Sequence, residues 1–422
     1  MSLFIATVSA DEILDSRGRP TVSATITLTD GTRATASAPS GASTGRAEAP
    51  ELRDGDPRRF AGAGVRKAVR HVETAIRDAL AGRRFASFRD VDDVVREVDA
   101  AWTDEPLGSN ATVAVSMAAA RAQALYTDSE LWSVLSGGLP PALPVPFFNV
   151  LNGGRHAPNG LDFQEFMIAP VGAPTLPDAV RAGAEIYHAL AGVLGAAGLS
   201  RAVGDEGGYA PDVTTPEQAL DLIVAAIHAA GYRAEPDDVA IALDPAASEF
   251  YGDGVYTVNQ NRLSATDMVG WYDTLVGEYP IVSIEDGLAE DDFAGWSELT
   301  ARLRRRVQLV GDDIFVTDAH RIDEAARRGM ATAALIKVNQ IGTVSQALDA
   351  VETCGRVGFG AMISHRSGET LDTFIADLAV GTGCGQLKAG APARGERVAK
   401  YNRLLEIART NPELAFGPPR FV

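Results

Sequence analysis

Apolar and polar residues alternate near the N-terminus, with the period of two that is typical of a half-buried strand. In residues 21–28 the apolar positions on one face are Val22, Ala24, Ile26 and Leu28. Asp30-Gly31 follows and predicts a tight hairpin turn. We therefore predict an antiparallel meander over about the first 40 residues. Helical patterns come next, near 58–82, 88–101 and 109–126, the last opening with Ser109-Asn110 as a capping signal.

The pattern changes after a run rich in Gly and Pro at 136–146. A strand pair is predicted first, at 146–152 and 161–168, and then helices near 178–197 and 215–231. Six short apolar runs without clean alternation follow, at 239–244, 280–286, 307–313, 333–339, 360–366 and 384–390. Strands buried on both faces have this pattern, and helical stretches lie between them. We predict an α/β fold, with an N-terminal α+β capping domain over 1–135 and a (β/α)8-type barrel over 140–422.

Composition and charge limit the partners of the chain. Its formal charge of −18 argues against a general affinity for nucleic acid or anionic membranes. No stretch reaches the roughly 18 consecutive apolar residues of a membrane span. The first residues have no basic segment, so no signal peptide is expected. Two cysteines, Cys354 and Cys384, fit a reducing compartment, and we expect a cytoplasmic location.

Charged residues stand where the predicted barrel strands end. Three successive strands end in carboxylates and the next three in basic groups, in the order Asp244, Glu285, Asp312, Lys337, His365 and Lys388. In a barrel of this type these strand ends face one pocket. A polar residue is needed wherever a strand leaves the core, but that explains one or two charges rather than six sorted by sign.

This arrangement predicts a metal on one side of the pocket and an anion on the other. Oxygen ligands without thiolate or imidazole suit Mg²⁺, and the basic groups suit a phosphate or carboxylate. Such a site indicates proton abstraction beside a carboxylate, by a lysine whose pKa is lowered by nearby cations. Lysine is rare here, which hints at special use where it occurs: the chain has only Lys67, Lys337, Lys388 and Lys400.

At these residues the chain resembles the enolase family, over nearly its whole length. The matching motifs run from DSRGRPT (15–21) to ERVAKYN (396–402). Between them lie SGASTG (40–45), NGGRHA (152–157), QEFM (164–167), GDEGGYAP (204–211), ASEFY (247–251), SIEDG (283–287), VGDD (310–313), IKVNQIG (336–342) and SHRSGET (364–370). Each motif is weak alone, but their common order makes coincidence negligible.

The resemblance implies roles for individual residues. Lys337 resembles the general base, Glu206 the acid that protonates the departing hydroxyl, and Glu165 and His156 its supporting groups. The implied substrate contacts are Gln164, His365, Arg366, Ser367 and Lys388. Asp244, Glu285 and Asp312 resemble the ligands of the tighter metal, and Ser43 a ligand of the second. Without the resemblance, Glu165, His156 and the SGASTG loop would be read as an ordinary strand residue, a turn residue and a Gly/Ser turn.

The implied activity is the dehydration of 2-phosphoglycerate to phosphoenolpyruvate, a hydro-lyase step of glycolysis. It would use two Mg²⁺ per active site, the second arriving with substrate as the SGASTG loop closes. The implied partners are a small phosphorylated acid and further copies of the chain, in a homodimer or higher oligomer. Neither nucleic acid nor membrane is expected as a partner.

The chain departs from the family pattern near the site, and three alternatives stay open. The departures beside matched site residues are Ala389 and Pro158–Gly160, and a further one, Arg19, falls at an expected surface turn. A paralogue of phosphonate biosynthesis, of the carboxyphosphonoenolpyruvate synthase type, would share the chemistry. A member of the mandelate racemase or muconate lactonising type would carry a Lys-x-Lys pair, which this chain lacks. A non-catalytic binding or structural homologue would not need the intact acid, base and metal positions.

Overall fold

The computed structural model describes residues 2–41, 45–101 and 106–417. Its N-terminal sheet has the order β3-β2-β1-β4, with bounds β1 (Leu3–Leu14), β2 (Pro20–Leu28), β3 (Arg33–Ser37) and β4 (Arg84–Phe85). The paired strands are antiparallel, which confirms the predicted meander. The Oδ1 of Asp30 accepts a hydrogen bond from the backbone N–H of Thr32 and closes the hairpin turn.

Five α-helices are described in the N-terminal domain outside the gaps at 42–44 and 102–105: α1 (Arg66–His71), α2 (Arg77–Leu80), α3 (Phe88–Ala101), α4 (Ser109–Tyr126) and α5 (Leu131–Leu135). A π-helical turn, Val72–Ile76, joins the first two. The helix predicted from residue 58 begins later, because a 3₁₀ turn, Phe60–Gly62, precedes it. The capping prediction for α4 was wrong. Gly108 is its N-cap, and Asn110 instead pairs with both backbone groups of Leu52.

In the described residues after the N-terminal domain, eight strands form a closed barrel. Their bounds are β5 (Val145–Asn152), β6 (Glu165–Ala169), β7 (Ala240–Asp244), β11 (Ile281–Glu285), β12 (Gln308–Gly311), β13 (Ala333–Ile336), β14 (Gly360–Ser364) and β15 (Gln386–Lys388). A small separate sheet holds β8 (Tyr251–Gly252), β9 (Val255–Val258) and β10 (Asn261–Leu263). The closed order is β11-β12-β13-β14-β15-β5-β6-β7. The strands that end at Asp244 and Lys388 thus belong to one sheet, as predicted.

Strand β6 runs antiparallel to both of its neighbours, while the other pairs in the barrel are parallel. Its first residue, Glu165, therefore lies beside Asp244, the last residue of β7. This reversal brings the start of β6 to the same end of the barrel as the carboxyl ends of the parallel strands. Glu165 reaches the mouth for this reason.

Helices surround the barrel, and their bounds are α6 (Leu176–Ala196), α7 (Pro216–Ala229), α8 (Ala265–Glu278), α9 (Phe293–Leu303), α10 (Ala319–Arg328), α11 (Val338–Ile341), α12 (Val344–Val357), α13 (Phe374–Thr382) and α14 (Gly395–Thr410). Side-chain oxygens cap several N-termini; Thr175 and Thr215 do so in the two helices predicted near 178–197 and 215–231. None of the helices in the described part of the chain is long and apolar enough to cross a membrane.

The N-terminal domain is attached to the barrel at the turn between α11 and α12. The carboxylate of Asp92 accepts hydrogen bonds from the backbone N–H and the hydroxyl of Ser345. The hydroxyl of Ser116 accepts from the N–H of Val344, and that of Thr112 donates to the carbonyl of Gly342. These bonds fix the segment that follows Lys337, so the capping domain supports one side of the barrel mouth.

Candidate active site

The charged residues predicted from the strand ends meet at the mouth of the barrel. Asp244, Glu285 and Lys388 are the last residues of β7, β11 and β15, and Asp312, Lys337 and His365 directly follow β12, β13 and β14. One cavity is lined by His156, Gln164, Glu165, Glu206, Asp244, Asp312, Lys337, Ser364, His365, Arg366, Ser367 and Lys388. Its volume is about 20 Å³, room for about one water molecule. The side chains fill the mouth by pairing with one another.

Lys388 lies among carboxylates. Its Nζ is 3.0 Å from Oδ2 of Asp244, 2.9 Å from Oε2 of Glu285 and 3.2 Å from Oε1 of Glu165. The four side chains are almost completely buried. Burial first, and then Asp244, raise the pKa of Glu285 well above its ordinary value. The predicted sorting of charges holds for the strand ends, but the long lysine crosses the mouth and joins the acidic side.

Lys337 is paired with Asp312. Its Nζ lies 2.5 Å from Oδ2 of Asp312, and the other carboxylate oxygen accepts a hydrogen bond from Nε2 of Gln340 at 2.8 Å. Burial lowers the pKa of Lys337, but Asp312 outweighs burial and raises that pKa above its ordinary value. The predicted lowering of the lysine pKa was therefore wrong for this state. The reason is that the nearest charge is an anion and not a cation.

Oxygen ligands for a metal are present at the acidic side of the mouth. Asp286, Asp312 and Asp313 bring ligand atoms within 4.8 Å of one another. On the opposite side of the mouth, His156, Glu165 and Glu206 form a second such group, which includes a histidine nitrogen. Asp244 and Glu285 instead converge on the ammonium of Lys388, which shows that their oxygens already surround a positive charge. The predicted set of Asp244, Glu285 and Asp312 is not one of the two groups found in the described residues, although carboxylate clusters of this kind could hold a metal ion.

Asp286 is a contributor that sequence reasoning did not identify. Its two carboxylate oxygens accept from the backbone N–H groups of Asp312 and Asp313, at 2.8 and 2.9 Å. Its backbone has a positive φ of 40°, a conformation that costs a non-glycine residue free energy and that the surrounding structure must maintain. Asp286 orients the turn that carries Asp312. Its position beside Glu285 in SIEDG was the one available signal.

Two glutamates and two histidines form the opposite side of the mouth. Oε2 of Glu206 accepts from Nδ2 of Asn149 at 3.0 Å, and Nε2 of His365 lies 3.2 Å from the same oxygen. His156 lies between the carboxylates, with ring nitrogens 3.7 Å from Glu165 and from Glu206. All four predicted residues are thus brought together, with no water-exposed side chain among them.

The two glutamates differ in pKa. Burial first, and then the charge of Glu206, raise the pKa of Glu165 well above its ordinary value. Burial also raises the pKa of Glu206, but His365 and His156 outweigh it and leave that pKa well below the ordinary value. Of the two carboxyls, Glu165 is therefore the one whose surroundings favour the protonated form. Ligand atoms of the two side chains lie within 4.8 Å of each other, so the charge of each affects the pKa of the other.

Arg366 is held by a residue from the capping domain. Its guanidinium donates from Nη1 at 3.0 Å and from Nη2 at 3.1 Å to Oε2 of Glu48. Nη1 also donates to Oδ1 of Asn339 at 3.0 Å. This planar fork suits phosphate oxygens as well as it suits a carboxylate. Sequence reasoning missed Glu48, since it follows the SGASTG loop and not a strand.

Two predicted site residues have a different status. Gln164 lines the cavity, and its Oε1 is buried without a hydrogen-bond partner in the described structure. Ser43 lies outside the described residues.

Two of the departures from the family pattern can be placed. Asn159 donates from Nδ2 to the carbonyls of Asn152 and Pro211, so the segment 158–160 supports the turn beside GDEGG. Ala389 is fully buried and is not among the residues that line the cavity.

Comparison with protein-family models agrees with this geometry. The model for the enolase N-terminal domain matches residues 5–135. The model for the enolase C-terminal TIM barrel domain matches residues 140–415. Together the two matches span almost all of the sequence and include both the capping sheet and the barrel mouth. The chain belongs to the enolase family.

Proposed function

We propose that this protein is a Mg²⁺-dependent hydro-lyase that dehydrates 2-phosphoglycerate to phosphoenolpyruvate. The observation that carries this proposal is the position of an amine opposite a carboxyl pair. Lys337 follows β13 and Glu165 begins β6, and these strands are four apart in the closed order of eight. A base and an acid on opposite sides of a buried mouth suit an elimination in which a proton and a hydroxyl leave from opposite faces.

In the proposed reaction Lys337, as the neutral amine, removes the proton next to the substrate carboxylate. The amine must first lose the proton that Asp312 now stabilises. Glu206 then protonates the leaving hydroxyl; because its pKa is lowered by His365 and His156, it must first take up a proton. Arg366 binds the phosphate, for which its planar guanidinium is suited. Glu206 and Arg366 are buried and the side chain of Lys337 is only 12% exposed, so little bulk water reaches these groups and each electrostatic interaction is strengthened.

The proposed metal ligands are Asp244, Glu285 and Asp312, with Ser43 for a second ion that arrives with substrate. Bound there, Mg²⁺ would supply the positive charge that stabilises the substrate dianion and that competes with Lys337 for Asp312. Asp286 maintains the turn of Asp312 whether Lys337 or a metal ion pairs with that carboxylate. Lys388 is the present counter-charge of Asp244 and Glu285, and in the proposed complex it is placed to offset the substrate carboxylate.

We also propose that the protein acts in the cytoplasm, as part of glycolysis, and as a homodimer or higher oligomer. Membership of the enolase family supports the oligomer. The proposed partner is a small phosphorylated acid. A net charge of −18 gives no attraction to nucleic acid.

The test separates the two half-reactions. With Mg²⁺ and 2-phosphoglycerate, we expect the ultraviolet absorbance of the enol phosphate to rise. Glu206→Gln should abolish that rise but retain exchange of the C2 proton in deuterated water, because Lys337 is intact. Glu298→Gln, at a surface hydrogen bond to Thr266, is the matched control and should be neutral. Absence of any absorbance change with the wild-type protein would refute the proposed function.

A further inference from the structure

Arg397 is a buried cation directly behind the mouth. It lies on α14 and its side chain is completely buried. Its Nη1 lies 2.5 Å from Nδ1 of His365 and donates to the carbonyl of Arg366 at 2.7 Å. Its Nη2 donates to the carbonyls of Ser367 and Asp205, at 2.6 and 3.2 Å. One guanidinium therefore connects the two loops that carry His365 and Glu206.

The contact with His365 determines where the imidazole holds its proton. A guanidinium can only donate hydrogen bonds, so Nδ1 of His365 must be the acceptor. A neutral imidazole has one proton, which then resides on Nε2. Nε2 faces Oε2 of Glu206 at 3.2 Å, although the pair does not meet the geometry of a hydrogen bond in this state. The other tautomer would direct a lone pair at the carboxylate.

The surrounding residues preserve this arrangement. Gly390 has a positive φ of 85°, and a Cβ there would lie 2.7 Å from Cδ of Arg397. Nε of Arg397 is 3.4 Å from the carboxylate of Glu396, its nearest ion-pair partner in the described structure. The strongest contacts of the guanidinium are thus with the site loops rather than with a carboxylate. A cation placed only to stabilise the fold would more often have a close acidic partner.

We propose that Arg397 is a positioning residue that fixes the Nε2–H tautomer of His365 and so directs an N–H group at the acid, Glu206. The proposal rests on the proposed function for the role of Glu206. It adds that Arg397 acts through His365 and touches neither substrate nor metal. Loss of the tautomer would impair loss of the hydroxyl more than substrate binding, because the guanidinium of Arg366 is held by Glu48 and Asn339 and not by His365. The effect should therefore fall on kcat and not on KM.

The first arm of the test is nitrogen-15 NMR of the substrate-free protein labelled in histidine. The signals of His365 are identified by their absence in His365→Gln. Wild type should show Nε2 protonated and Nδ1 as a hydrogen-bonded acceptor, and Arg397→Met should lose this pattern. Arg403→Met, on the same helix and paired with Asp377, is the control and should retain it. Protonated Nδ1 in wild type, or an unchanged pattern in Arg397→Met, would overturn the proposal.

The second arm is kinetic. Arg397→Met should lower kcat roughly 10–100-fold, the usual effect of losing a partner that orients a functional histidine, with KM within about twofold. Arg397→Lys keeps a buried donor and should restore part of kcat together with the Nε2–H signal. If Arg397→Met does not fold, the proposal is tested by the wild-type spectrum, which must show Nε2 protonated, and by Arg397→Lys, which must retain that signal. If the spectrum shows Nε2 of His365 protonated but the protein does not act on 2-phosphoglycerate, the proposed function is refuted and the role of Arg397 is not.

Discussion

The Nζ of Lys388 lies 2.9 Å from Oε2 of Glu285, although these residues end strands that are four apart in the closed barrel. The lysine spans the mouth and supplies the positive charge that Glu285 and Asp244 require when both are buried. Unpaired carboxylates would be very unfavourable in that position. The same oxygens suit a divalent cation, so an ion that binds there must compete with the ammonium.

The first prediction concerns metal affinity. Asp312→Asn removes one negative charge from the proposed ligand set, so the Mg²⁺ concentration that gives half-maximal activity should rise at least tenfold, equivalent to about 1.4 kcal/mol. A Mg²⁺ titration of the reaction measures it. Asp93→Asn, at an exposed ion pair of α3, is the control. An unchanged midpoint would remove Asp312 from the metal ligands.

The second prediction concerns the base. Lys337→Arg keeps the positive charge beside Asp312 but replaces an amine that can lose its proton by a guanidinium that cannot. Exchange of the substrate C2 proton in deuterated water should fall by at least about 100-fold, within the usual range for general-base catalysis. Lys67→Arg, on α1 of the capping domain, should be neutral. Equal losses in both variants would contradict the assignment.

The third prediction concerns phosphate binding. Arg366→Lys replaces a planar fork that already holds a carboxylate through both Nη atoms by a single ammonium. Loss of a charged hydrogen bond costs about 1.5–3 kcal/mol, so kcat/KM should fall roughly 10–100-fold. Steady-state kinetics with the phosphorylated substrate measure the change, and Arg356→Lys at an exposed ion pair is the control. A normal KM would show that another residue binds the phosphate.

The fourth prediction concerns pH and the contact between the domains. Burial raises the pKa of Asp92 to about 6 from 3.8, although Ser116 and Ser345 oppose the shift. A raised carboxyl pKa stabilises the folded state below pH 3.8, and this contribution is lost as pH rises through about 6. The loss amounts to roughly 3 kcal/mol at most.

Asp92→Asn cannot ionise and should escape this loss. Relative to wild type, its melting temperature should therefore rise as the pH is increased from 4.5 to 7.5, as followed by thermal unfolding at each pH. Asp93→Asn, whose side chain is exposed on the same helix, should show no such trend. A difference between wild type and Asp92→Asn that does not depend on pH would contradict the shifted pKa.

The sequence predicted the barrel and the residues at its mouth because both are encoded locally. An apolar run that ends in a charged residue places that residue at the carboxyl end of a strand, as with Asp244 and Lys388. The pairing of those charges could not be predicted in this way. Whether Lys388 binds a carboxylate or remains on its own side depends on the width of the mouth, which no local pattern contains.

Residues that reach the site from elsewhere were also beyond local patterns. Glu48 comes from a loop of the capping domain and Arg397 from a helix after the last strand, and neither ends a strand. Asn110 was expected to cap a helix but pairs with the backbone of Leu52, 58 residues away. In each case the partner is distant in sequence, so only the folded structure brings the two groups together.

The most direct test of the account is phosphorus NMR of the products. The protein is supplied with Mg²⁺ and 2-phosphoglycerate, first alone and then with phosphonoformate. The barrel mouth brings together a pair of glutamates, the proposed base Lys337 and the proposed phosphate ligand Arg366. We therefore expect phosphoenolpyruvate to be the main product in both reactions. A carbon–phosphorus product formed in preference to phosphoenolpyruvate would contradict the account and would identify the paralogue of phosphonate biosynthesis instead.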